Sequence, residues 1–152
     1  MRMHLYGTKK WSVIAGGLLL GLAAAVEAKE CYSPDVRSKE RAFSRAVITE
    51  GGKTIWLGGR TASNPKADFE TQVRDVFANL DKTIKGAGGN GLQDMVTMTV
   101  FINDARLGDQ FVRIRQETFK ECFPASALIT VSGFARPGLL LEVQGVAVIG
   151  GK

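Results

Sequence analysis

The stretch from Gln93 to Asn103 restricts the fold of this chain more than any other. Met95, Thr97, Thr99 and Phe101 alternate with Val96, Met98, Val100 and Ile102. Successive side chains of a strand point to opposite faces, so an extended Gln93–Asn103 segment is apolar on both. Such a strand belongs in the interior of a sheet, with neighbours on both edges and cover on both faces. The rest of the chain has to supply them.

Upstream, Ser44–Thr49 and Lys53–Gly59 are strand-like and flank Glu50-Gly51-Gly52, a turn that predicts a hairpin. Asn64-Pro65 is a helix-start signal, and Phe69, Val73, Val76, Phe77, Leu80 and Ile84 then recur at helical spacing. Gly86, Gly88, Gly89 and Gly91 end that helix. A second helix is expected over Arg106–Glu121, with Phe111, Ile114 and Thr118 inward and Arg113, Arg115 and Lys120 mostly outward, closed by Pro124. Ala127–Val131 and Leu139–Ile149, joined by Ser132–Gly138, are the last two strands. The order β-β-α-β-α-β-β implies an α+β sandwich, two helices on one face of a mixed sheet. No element is left for the other face, and a homo-oligomer is the economical way to cover it.

The N-terminus is read separately. Arg2, Lys9 and Lys10 precede an uncharged apolar run from Trp11 to Val26, which ends in Val26-Glu27-Ala28. That order is the pattern of a secretory signal peptide over residues 1–28, cleaved after Ala28 or, as a second choice, after Ala25. An uncleaved anchor is the alternative, but a bilayer span needs about 20 apolar residues and this run is shorter. Export to the periplasm or medium is therefore expected, without stable membrane insertion after cleavage. The polar residues 29–42 are expected to form a leader, flexible or draped on the surface. Residues 43–150 are expected to be the domain.

Removing residues 1–28 lowers Lys plus Arg from 20 to 17 and Asp plus Glu from 15 to 14, so the net charge falls from +5 to +3. With no block of like charge, no nucleic-acid partner is expected. The cut also removes His4, the only histidine. Ser-His-Asp and Cys-His machinery and His-ligated zinc are thereby excluded. Cys31 and Cys122 could pair in an oxidising compartment, though spacing alone does not decide it. They are too few ligands for a metal site, and no cofactor is expected.

Seven segments, in order and spacing, resemble the RidA/YjgF (reactive-intermediate deaminase) family. They are Ala46-Val47-Ile48, Leu57-Gly58-Gly59-Arg60, Asn79-Leu80, Ala87-Gly88-Gly89, Asp94-Met95-Val96 with Thr99-Val100-Phe101-Ile102, Phe123-Pro124-Ala125, and Leu141 through Val148. The resemblance covers roughly residues 43–149. It implies a chorismate-mutase-like homotrimer with small-molecule clefts between subunits, and hydrolysis of enamines and imines to keto acids and ammonia. In the family's better-characterised members an arginine after Pro-Ala clamps the substrate carboxylate, and a glutamate on the last strand is associated with the attacking water. Here Ser126 stands in the arginine's place, while Glu142 matches the glutamate. A serine has no guanidinium fork. Arg115 and Arg60 are the candidate replacements, Gly59 falls on the site-lining strand, and Phe43 aligns with an aromatic at the cleft rim. Three functions follow from the resemblance: a deaminase using Glu142, a non-catalytic metabolite-binding module, and a ribonuclease or translation inhibitor. The lack of histidine weighs against the third.

Overall fold

The computed structural model describes residues 29–150, so the expected signal peptide lies outside the described residues. The chain forms β1 (Glu30–Tyr32), α1 (Val36–Glu40), β2 (Ala46–Ile48), β3 (Lys53–Thr61), α2 (Phe69–Gly86), β4 (Met95–Ile102), α3 (Gly108–Phe119), β5 (Ala125–Thr130) and β6 (Leu141–Ile149). The main sheet has the order β3-β6-β4-β5. Its β4–β5 pair is parallel and its other pairs are antiparallel, so the sheet is mixed. As its two apolar faces predict, β4 lies inside the sheet. Among the described residues no helix is long and apolar enough to cross a membrane.

Both long helices lie on one face. From α2, Val73, Val76, Phe77, Leu80 and Ile84 meet Phe111, Ile114 and Phe119 of α3 over Met98, Val100 and Ile102 of β4. Phe77 sits between two rings, 5.9 Å from Phe111 and 5.8 Å edge-on to Phe119. Each such side chain contributes about 1.5–3 kcal/mol by leaving water, so this layer is the main source of stability. Among the described residues no helix covers the opposite face. Trp56 is 81% exposed there, beside its cross-strand neighbour Val146, and Ile129 and Phe101 lie further along.

Three expectations are corrected. The expected hairpin does not form, because β2 pairs with β1 in a separate two-stranded sheet while β3 pairs with β6. The turn residues Gly51 and Gly52 do adopt positive φ, but they link two sheets. Residues 29–42 are not a loose leader. They contain β1 and α1, the latter capped where the Asp35 carboxylate accepts from Ser38 N at 2.8 Å. The cysteines pair, and the Cys31–Cys122 disulfide ties this segment to the end of α3 across 91 residues of sequence. Finally, α2 begins at Phe69 with Asp68 as its cap, since Asn64 and Pro65 make a separate turn.

Candidate functional site

At the β5 edge of the sheet, α3, the start of β5 and the segment following α1 enclose a cleft of about 410 Å³. Ser126 pairs with Met98, one of the most buried residues of β4, so its side chain points to the helix-covered face. Arg115 reaches down from α3 to meet it. Contrary to the outward orientation expected from the helix pattern, Arg115 is only 2% exposed. One guanidinium nitrogen donates to Ser126 Oγ, the other to Arg41 O at 2.7 Å, and the plane lies 5.2 Å from the Phe111 ring. Among the described residues its Nε has no partner, and none of its bonds goes to a carboxylate. Burial, with the nearby Arg41 charge adding to it, pulls this guanidinium down to about 10. A buried cation with no counter-ion is costly, and such groups concentrate at ligand sites.

The cleft is basic throughout. Arg37, Arg41 and Arg45 recur at four-residue spacing and line it together with Phe43. Arg45 stacks 5.1 Å above the Phe43 ring and pairs with Asp35 at 2.8 Å, while Arg41 pairs with Asp109. Arg37 makes no side-chain ion pair among the described residues, although its field helps Arg45 and the Ser38 amide hold the Asp35 carboxyl below its usual range. Four guanidiniums against two carboxylates leave a net +2. The segment is held in place from behind. Ser44 Oγ donates to Phe123 O, its backbone bridges to Ala125, and the disulfide lies alongside.

The structure brings Arg115, Ser126 and Phe43 together but not the other expected site residues. Glu142 pairs with Phe101, three residues from Met98 on β4, so it projects from the bare face of the sheet. It is half-buried and makes no hydrogen bond or ion pair among the described residues. Its carboxylate lies over Gly59, where an added Cβ would meet Oε1 at 1.9 Å. Gly59 therefore makes room for this glutamate. Arg60 lies on β3, at the opposite edge from β5, where its contact is a long 3.5 Å bond to Thr83 Oγ1 of α2. It cannot share an anion with Arg115 within one chain. Sequence reasoning misses the three rim arginines because Arg37 and Arg41 fall in the polar stretch 29–42 expected to be a leader and Arg45 in the expected strand Ser44–Thr49. Their regular spacing, following the Asp35 cap, was the available signal. No group of three metal-ligating side chains occurs among the described residues.

An α+β sheet-and-helix domain with a basic cleft at one sheet edge is thus the class of protein in hand. A profile of the Endoribonuclease L-PSP family matches residues 35–149, and the chain belongs to this family, the one that includes the RidA/YjgF proteins. It is 28% identical over 104 residues to a RutC family protein of Sulfurisphaera tokodaii, covering 64% of this chain and 81% of that one. A RutC family protein of Pyrococcus horikoshii is 27% identical over 111 residues, 69% of this chain and 85% of its own. Among solved structures, a Rid-family protein of unknown function from Yersinia pestis superposes with a TM-score of 0.71 at 23% identity, covering 80% of this chain and 99% of its own. The match establishes the shared fold.

Proposed function

We propose that this protein is an exported deaminase of the RidA type whose carboxylate anchor has moved from β5 to α3. The observation that carries this reading is the buried, carboxylate-free Arg115 guanidinium bonded to Ser126. It brings a positive charge to the residue where the family's better-characterised members have their own arginine. Because Ser126 Oγ accepts from Arg115, its own proton is directed elsewhere and serves as a polarised donor to a ligand carboxylate.

Glu142 projects from the other face of the same sheet, so one chain holds only half of the machinery. In a homotrimer assembled through the bare sheet faces, Glu142 of the partner subunit joins the Arg115 cleft. The exposed Trp56 and Ile129 support that assembly, since large apolar side chains clustered on one face mark association surfaces. Glu142 then takes a proton from water as the oxygen attacks the imine carbon. The C=N bond becomes a C–N bond, the nitrogen gains protons, and ammonia leaves as the carbonyl forms. The net reaction consumes one water and releases one ammonia per keto acid, without a redox cofactor. A histidine-dependent ribonuclease mechanism has no residue to run on, since His4 is the only histidine and precedes the domain.

Ammonia release by the mature, disulfide-bonded protein from amino-acid-derived imines generated in situ tests this. Turnover lost in both Glu142→Gln and Arg115→Met supports it. Turnover unaffected by Arg115→Met would sink the relocated anchor. No turnover on any imine, with keto acids still bound, would leave a metabolite-binding module. A monomer in light scattering would remove the inter-subunit site.

A further inference from the structure

The charge of the cleft exceeds what one carboxylate needs. A monocarboxylate held by Arg115 and Ser126 would leave the cleft at a net +1, with the rim arginines still facing one another. Arg37 has no ion-pair partner among the described residues, and the Arg41 guanidinium lies close enough to Arg115 for like-charge repulsion to contribute to its lowered pKa. Asp35 and Asp109 do not resolve this, for each is engaged by one rim arginine and Asp109 is 89% exposed. At about 410 Å³ the cleft is also roomier than a three-carbon imino acid requires.

We infer that the cleft selects ligands with a second acidic group, so that the physiological substrate is the imine of a dicarboxylic amino acid. One carboxylate sits at the base, on Ser126 backed by Arg115. The distal carboxylate sits at the rim, against Arg37 and Arg45, with the Phe43 ring walling the chain between them. Guanidinium forks match carboxylates in plane and in donor spacing, which suits two separate carboxylates better than one compact charge. The two ends differ in what they contribute. The buried base supplies the anchor common to all 2-oxo and 2-imino acids. The exposed rim supplies discrimination among them, because an exposed ion pair is worth little by itself but is present for one ligand and absent for the other.

This inference rests on the cleft being the ligand site, as proposed above, and does not require turnover. Its test is therefore equilibrium binding. The mature, disulfide-bonded protein is titrated calorimetrically at low ionic strength with 2-oxoglutarate and with 2-oxobutanoate. Two rim contacts of modest strength predict that the diacid binds at least about fivefold tighter. Arg37→Gln, whose side chain is exposed and makes no hydrogen bond among the described residues, should narrow the gap by weakening 2-oxoglutarate severalfold more than 2-oxobutanoate. Equal affinities in the native protein would overturn the inference, as would no detectable binding of 2-oxoglutarate. Inorganic phosphate binding as tightly as the diacid would overturn it in favour of a phosphoryl ligand. The deaminase reading fails separately: ammonia released equally from neutral and acidic imines refutes only the diacid preference. Tight diacid binding without ammonia from any imine refutes only catalysis.

Discussion

Replacing Arg115 by methionine tests the site most directly, because the expected effects on stability and on binding have opposite signs. Burial, helped by the Arg41 charge, lowers this guanidinium from its ordinary value to about 10. At about 1.4 kcal/mol per tenfold, its charge at neutral pH costs the folded state roughly 3 kcal/mol. Against that stand the bonds to Ser126 Oγ and Arg41 O, each worth about 1 kcal/mol net. Methionine fills a similar volume without the charge, so Arg115→Met should stabilise the ligand-free protein by about 1 kcal/mol. Urea unfolding at pH 7 and fixed protein concentration, in a buffer without phosphate or carboxylate, measures the difference. It is followed by far-ultraviolet circular dichroism, which reads the loss of both helices and sheet. The same variant should lose keto-acid binding. If it is instead destabilised by about 1 kcal/mol or more, the guanidinium is a structural strut and the reasoning fails.

Four further outcomes are expected. Gly59→Ala should leave stability nearly unchanged while reducing activity, because its Cβ meets only the mobile end of Glu142, at 1.9 Å. Gly145→Ala should cost about 1–3 kcal/mol in the same urea assay, since there the Cβ meets the backbone Thr97 O at 2.2 Å. Cys31→Ser should cost about 2–4 kcal/mol and weaken keto-acid binding, because the disulfide closes a long loop and anchors the segment that carries the rim arginines. Acid should unfold the protein in a defined window. Hydrogen bonds from Arg45, the Thr71 amide and Arg74 hold Asp35, Asp68 and Glu70 below their ordinary values of 3.8, 3.8 and 4.5, and Arg106 holds Asp104 at about 2. A carboxylate with a depressed folded-state pKa stabilises above its ordinary value, and that contribution goes as pH falls through the depressed one. Melting temperature should therefore be flat between about pH 5 and 8 and fall between about 4.5 and 2; a protein equally stable at pH 2.5 would refute this.

How far the sequence is legible depends on whether a signal is local. The apolar stripe of α2 and the doubly apolar β4 could be read directly, because their periodicities record which faces leave water. Gly51 and Gly52 take the positive φ that their composition signals, yet they make no hairpin. A turn fixes local chain direction, whereas strand partners are chosen by the surfaces available, and β3 found β6. Arg115 reads as outward only by its charge, for its helix-face neighbours Phe111, Val112 and Phe119 are apolar and buried. The position faces inward, and its stem follows the apolar surface down to Ser126, as long charged side chains can. Arg37 and Arg41 are hard to read as site residues because charge density in a short polar segment resembles a solvated tail.

By itself the sequence determined the family and the α+β class. These follow from residue identity and periodicity, which are properties of neighbouring positions along the chain. Only the tertiary structure decided that Cys31 meets Cys122, that Arg115 and not Arg60 reaches Ser126, and that Glu142 faces away from both. Each of those depends on two segments far apart in sequence coming to the same edge or face of one sheet. That choice is made by burial of the whole core, which no local pattern encodes.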